Sequence, residues 1–326
     1  MEKKKKIDWL AVLQGFSMLL VVIGHVSLTN VPGDPSTPIA TGIERAIYLF
    51  HMPLFIFISG WLFHYTCIRK EKSYKDVVKA KLKRLGIPFL AFTLVATILK
   101  SVFPSLMHRL VTMQELIDTF LLFRSNPLGE MWFVIVLFEL MLLYPIYKIA
   151  TKNKLAAFIG LGLAILINKS FPDISYFNIG KVAYMLPFFV SGILCCRFEW
   201  HKYMEKWWFA LSMAVLFLLC NIMKMPQSMK AEIALVGTLF AMSLCLIVGK
   251  YMPKLFNSFR DYTFQIFLMG IFFQMAIRWG YVRWGNELLF VPLWILSVLI
   301  GVYVPTFIAK IIEKKAPEYV KMCFGL

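Results

Sequence analysis

The sequence is short of charge, and of acidic charge above all. Only 16% of its 326 residues are Asp, Glu, Lys or Arg, against about 25% in soluble globular domains, so a fully solvated surface for a chain this long is excluded. Cysteine is scarce as well. Cys67, Cys195, Cys196, Cys220, Cys245 and Cys323 include no C-x-x-C pair, which leaves neither a zinc site nor a disulfide framework and reads as reduced, inert thiols. The five histidines form no cluster with metal-ligand spacing, so no metal and no bound cofactor is expected. There is no low-complexity tract and no repeat of fixed period. The chain therefore reads as one domain over residues 1–326, with only "EKKAPEYVKMCFGL" after the last apolar run, too little for an appended soluble domain.

What is abundant is hydrocarbon. The chain is 60% hydrophobic, carries 30 Phe, and has a mean hydropathy of +0.71. Its apolar residues gather in runs near 9–28, 43–63, 85–103, 131–150, 155–168, 180–197, 207–223, 231–249, 262–281 and 289–309. The fold expected is an all-α, polytopic integral membrane bundle of about ten transmembrane helices, because lipid offers no partner to an unpaired backbone group. With a cytoplasmic N-terminus, 25 of the 35 basic residues fall on inner segments, as the positive-inside rule requires. Both termini are then cytoplasmic, and the net charge of +17 is topology. Nucleic acid is not an expected partner, since no basic stripe is interleaved with exposed aromatics. "MEKKKK" and the run behind it resemble a signal peptide, yet no A-x-A-like site closes the run, so a retained first helix is expected. No motif specifies an oligomeric state.

The polar exceptions to this pattern carry the chemistry. Gln14 and His25 stand eleven residues apart in the first run, roughly three helical turns, so both face one way about 16 Å apart along the axis. His51, in "IYLFHMPLFIFISG", returns on the next helix to about the depth of His25, and two imidazoles there make a polar pocket or two satisfied packing residues. A neutral imidazole in such a pocket can take a proton from a hydroxyl nucleophile, an effect worth about 10²–10⁴ in rate. Glu139, inside "VLFELML", is costly in lipid and should face the bundle, either protonated or bonded to a partner such as Gln274. The inner segment "RKEKSYKDVVKAKLKRLGIP" is basic, with Val77, Val78 and Leu82 spaced as an amphipathic stripe along the membrane surface, suiting anionic lipid headgroups or a polyanionic cosubstrate. Two outer connections stand apart. "TNVPGDPSTPIATG" reads as a loop, and the stretch from Pro104 to Glu130 holds a helical, interfacial pattern.

In order along the chain, these segments resemble the membrane acyltransferase 3 family, whose members O-acylate sugars of polysaccharides, glycolipids or peptidoglycan. "IDWLAVLQGFSMLLVVIGH", Ile7 to His25, is similar to the family's opening motif, in which a basic residue precedes the catalytic histidine; here Gln14 holds the basic position. "FHMPLFIFISG" resembles the second helix of its sugar O-acetylase branch, and "KRLGIPF" its basic entry to helix three, with Arg84 at the arginine. "MWFVIVLF" resembles its L-W-F-L segment at Trp132, and "LPFFVSGIL" its P-F-F-x-x-G helix. "DYTFQIFLMG" looks like a later segment, but Phe267 and Gly270 stand where Tyr and His are common.

The resemblance implies an acyltransferase of a bacterial inner or plasma membrane, multi-pass and integral. It would move an acetyl group from acetyl-CoA, or another acyl-CoA, to a hydroxyl of an envelope sugar, polysaccharide or glycolipid. His25 would be the general base. Gln14 and Arg84 would contact the donor, with Arg84 alternatively snorkelling to headgroups; His51, Trp132 and Glu139 are candidates for binding substrate, with Trp132 alternatively an interfacial belt residue. Gln14 offers only neutral hydrogen bonds where the family has charge. Two other readings stay open: a polytopic transporter, which should show broken helices or a chain of intramembrane ionisable residues, and a catalytically inactive, glycan-binding relative.

Overall fold

The computed structural model describes residues 7–26, 28, 38–102, 112–123, 126–223 and 225–326. Among them every regular element is helical, and the chain is an all-α membrane protein. The helices are α1 (Asp8–Gly24), α2 (Pro38–Phe63), α3 (Tyr74–Lys81), α4 (Ile87–Val102), α5 (Met113–Phe120), α6 (Trp132–Leu142), α7 (Tyr144–Ala150), α8 (Lys154–Ser170), α9 (Ile179–Arg197), α10 (Trp207–Ile222), α11 (Lys230–Tyr251), α12 (Thr263–Trp284), α13 (Glu287–Lys315) and α14 (Glu318–Cys323). None of the six cysteines is disulfide-bonded, and among the described residues no group of His, Cys, Asp or Glu is arranged to hold a metal.

Among the described residues each expected apolar run lies mainly on helix, but the runs are not ten equal crossings. By length and composition five helical stretches can cross a membrane, or six if the bent pair α6 and α7 is one span. At about 1.5 Å per residue, α1 and α8 with 17 residues and α10 with 16 reach about 25 Å, short of the roughly 30 Å hydrocarbon core. The expected single span over 131–150 breaks at Leu143, where the two helices differ in direction by 55°. Pro145 explains the break: it has no N–H for the carbonyl four residues earlier, and its ring collides with that carbonyl.

The basic inner segment is helical over most of its length. Ser73 caps α3, its hydroxyl accepting from the Asp76 N–H at 3.1 Å and donating to the Asp76 carboxylate at 2.7 Å. The helix then continues through a π-turn, Leu82–Gly86, into α4, so helix leads directly into the third span. Val77 is buried and Leu82 exposed; five residues apart, they are separated by about 140° around the axis. A second π-turn, His64–Ile68, ends α2, with the Arg69 N–H reaching the His64 carbonyl at 2.9 Å. In the outer stretch, Thr112 caps α5 by accepting from the Glu115 N–H, a T-x-x-E signal legible in sequence. The anticipated first outer loop lies outside the described residues over 29–37, and α2 already begins at Pro38.

The chain forms two compact units, with the boundary inside α2. One comprises Met1–Ile58 with Trp200–Lys314, the other Ser59–Glu199 with Lys315–Leu326. In the first, α1 packs on α11 and α12, and glycines set the distances. A Cβ on Gly249 would lie 2.6 Å from the Trp9 Cα, and one on Gly237 within 2.9 Å of the Phe50 and Phe217 rings. In the second, α8 pairs with α9 and α6 packs on α9. Leu155, Phe158, Ile159, Leu163 and Leu166 of α8 stay exposed, an apolar exterior suited to hydrocarbon.

Candidate active site

In the first unit the chain exits α1 at Gly24 and leaves His25 one residue past the helix. The last carbonyls of a helix lack intrahelical donors. Tyr48, on α2, supplies one: its hydroxyl donates to the Gly24 carbonyl at 2.8 Å. The bond fixes the end of α1 against α2 and brings three rings together. The centroid of His25 lies 6.2 Å from that of His51 and 5.9 Å from that of Tyr48, and Tyr48 and His51 are 5.2 Å apart. His51 is almost fully buried, at 2% exposure, and His25 is half-buried.

The two imidazoles share one protonation pattern. Nδ1 of His25 lies 2.9 Å from the Val21 carbonyl, and Nδ1 of His51 lies 2.8 Å from the Ile47 carbonyl. A carbonyl only accepts, so each Nδ1 carries the proton and donates, and in the neutral ring Nε2 is left as the basic nitrogen. Chemically this is a pair of oriented proton acceptors. Tyr48 was not singled out from sequence, although it sits three residues before His51 and so shares its helix face. Replacing Tyr48 by Phe removes a bond between α1 and α2; a loss of about 1 kcal/mol is expected, read as a lower thermal midpoint of the purified protein, and an unchanged midpoint would count against that role.

Other residues of this unit set the surroundings. Gln14 is half-buried on α1. Its neighbour Gly15 admits Phe256, whose Cβ would be 2.6 Å from a Cβ at that position. Arg260, on the same segment as Phe256, is 7% exposed, and its guanidinium donates to the Pro253 carbonyl at 2.6 Å and the Leu255 carbonyl at 3.2 Å. Gln274, anticipated as a partner of Glu139, instead donates to the Val22 carbonyl at 2.9 Å, the last turn of α1 being short of donors.

The second unit holds Arg84, Trp132 and Glu139. Arg84 is exposed on the π-turn before α4. Lys81 lies over the Phe63 ring at 5.6 Å and close enough to Lys72 and Arg84 to feel both charges. Trp132 lines a cavity of about 220 Å³ with Phe89, Phe123, Asn126, Ile135, Asn178 and Lys181 among its walls. Glu139 follows Trp132 and Ile135 on one stripe of α6 by its i, i+3, i+7 spacing, and its Oε2 is buried without a hydrogen-bond partner.

A family profile described as an acyltransferase domain, acyltransferase 3, matches residues 7–310. The chain belongs to the acyltransferase 3 family. The match runs through both compact units. Among curated proteins, this acyltransferase 3 chain is similar to nodulation protein NolL of Mesorhizobium japonicum, 28% identical over 213 residues, which is 64% of this chain and 53% of that protein. It is also similar to nodulation protein NolL of Sinorhizobium fredii, 29% identical over 182 residues, 56% of this chain and 46% of that protein. The chain thus spans about half the length of the curated relatives it matches. No solved structure matches it significantly.

One departure from the acyltransferase 3 pattern has a steric reason. A Cβ at Gly270 would stand 2.9 Å from the Gly301 carbonyl oxygen, and one at Gly301 would stand 3.1 Å from Gln274 and Val22. The glycines let α12 and α13 approach closely, and a histidine at position 270 would force that crossing apart. For Gln14 in place of a basic residue, the packing around it gives no such account.

Proposed function

We propose that the protein is an integral membrane O-acyltransferase that moves an acetyl group from acetyl-CoA to a hydroxyl of a cell-envelope sugar, polysaccharide or glycolipid, with His25 as general base. The observation that carries this reading is the Nδ1–H donation of His25 to Val21, which leaves Nε2 as the nitrogen that accepts a proton. In the step we infer, Nε2 of His25 takes the proton of the acceptor hydroxyl as its oxygen attacks the thioester carbonyl. The C–S bond breaks, and the coenzyme A thiolate leaves and recovers the proton. His51 orients the pair through its ring contact with His25.

The donor's phosphates suit the basic segment, where Arg84 stands with Lys72 and Lys81, and Gln14 offers a neutral contact along α1. Trp132 and Glu139 are assigned to the acceptor side. No bound cofactor is invoked. Ten passages through a bacterial cell membrane, with both termini cytoplasmic, remain the topology we infer; the distribution of lysine and arginine favours it, and the relatives come from bacteria.

Membranes containing the full-length chain and given acetyl-CoA labelled in the acetyl group should transfer label to an envelope glycan. Label accumulating inside vesicles with none on glycan would mean a carrier and end the proposal. Arg84→Gln is expected to raise KM for acetyl-CoA by a few-fold to about tenfold with kcat nearly unchanged, the pattern of lost uniform binding. An unchanged KM would remove Arg84 from the donor site.

A further inference from the structure

The cavity beside Trp132 is built at a conformational cost that packing alone does not require. Six described non-glycine residues have positive φ, and three of them cluster here: Phe123 at 46°, Phe177 at 52° and Asn178 at 50°. Each such residue costs of order 1–3 kcal/mol, a strain that persists only where surrounding contacts hold it. Those contacts are visible. The Phe177 N–H donates to the Leu122 carbonyl at 2.7 Å, the Asn178 amide donates to the Phe123 carbonyl, and the Phe123 ring packs against Phe89 and Phe177, each at 6.0 Å.

The walls so formed are chemically specific. The Asn126 side chain bridges the Thr93 hydroxyl and the Leu128 N–H, at 2.8 Å each, which holds its amide rigid at the rim. Asn178 spends its NH₂ group on Phe123, so its carbonyl oxygen is the end suited to accept a hydroxyl proton. Trp132 supplies an aromatic surface, and the Lys181 ammonium stands 4.8 Å from its ring centroid. Among the described residues of the lining, Lys181 is the one that carries a charge. Asp173 lies near enough to act on the Lys181 charge, and its carboxylate meets the space above Gly180, but it is not part of the lining. At about 220 Å³ the cavity is smaller than the roughly 300–1,000 Å³ of drug-sized sites, which fits a single ring rather than an oligosaccharide.

We propose that this cavity binds one residue of an acidic saccharide, with Lys181 pairing the sugar's carboxylate, Trp132 covering its C–H face, and Asn126 and Asn178 contacting its hydroxyls. A neutral sugar has no group for the ammonium, and a bare anion leaves the indole and the two amides unused. That the sugar is also the acceptor of the acyl group rests on the function proposed above; the binding does not.

The test uses the full chain in lipid nanodiscs without acyl donor, so it is independent of turnover. Saturation-transfer NMR with glucuronate, glucose and inorganic phosphate should show contact with glucuronate, little with glucose, and poor displacement of glucuronate by phosphate. Lys181→Gln should weaken glucuronate binding at least tenfold, Lys181→Arg should keep most of it, and Asp173→Asn should strengthen it. Equal binding of glucose and glucuronate, binding that survives Lys181→Gln, displacement by phosphate alone, or no glucuronate contact would each overturn the assignment. Should glucuronate bind as described while labelled acetyl never reaches a glycan, the cavity stands and the acyl-transfer reading falls.

Discussion

His25→Ala is expected to lower acyl transfer by about 10²–10⁴, the range for removing a positioned general base, while leaving the protein in the membrane at wild-type levels. The loss should appear in kcat far more than in KM for acetyl-CoA, because the imidazole acts on the proton in flight and not on the resting donor. The side chain lies just past the end of α1, where its own ring bond to Val21 is local, so truncation removes a proton acceptor without opening a core. The same measurement on Tyr48→Phe separates chemistry from scaffolding. That variant keeps both imidazoles and loses the tie to Gly24, so it should retain most of the activity that His25→Ala destroys. If His25→Ala keeps more than about a tenth of the wild-type rate at equal insertion, the histidine is not the base.

The largest effect on stability is expected at Gly60. A Cβ there would run into the Phe189 carbonyl oxygen, a backbone atom of α9 that cannot rotate away. Alanine favours helix over glycine by about 1 kcal/mol, but a contact this short forces the two helices apart. Overpacking of this kind costs about 1–3 kcal/mol and occasionally more, and close helix approach is what small residues supply in membranes. Gly60→Ala should therefore lower the denaturation midpoint in detergent markedly. Gly162→Ala is the matched control: nothing lies within 4 Å of its added Cβ, and its midpoint should hold or rise slightly. Equal midpoints for the two variants would refute the close crossing of α2 and α9.

Composition and periodicity made the helical class legible, since runs of about twenty apolar residues admit little else. Individual boundaries were harder to read. Pro145 signalled a break that hydropathy averaging over 131–150 smoothed away, and Ser73 three residues before Asp76 marked where the helix of the basic inner segment begins. For the site, histidines in two neighbouring apolar runs were enough to anticipate their meeting, because a polar ring in lipid must turn toward another. The cavity around Lys181 had no comparable signal. It depends on left-handed backbone at Phe123, Phe177 and Asn178, and nothing about a phenylalanine in sequence indicates positive φ. Gln274 shows a different limit: its amide had to find a carbonyl, but which one depended on where α1 runs out of donors.

The π-turns at His64–Ile68 and Leu82–Gly86 bear on how this chain compares with longer or shorter kin. Each wide turn holds one surplus amino acid within an otherwise ordinary helical path. Deleting that residue tightens the turn to an α-helical one and leaves the phase of the flanking segments unchanged, so the faces they present stay put. Single-residue gaps are thus accommodated at these two places, whereas elsewhere in the spans a gap would swing everything beyond it by about 100°.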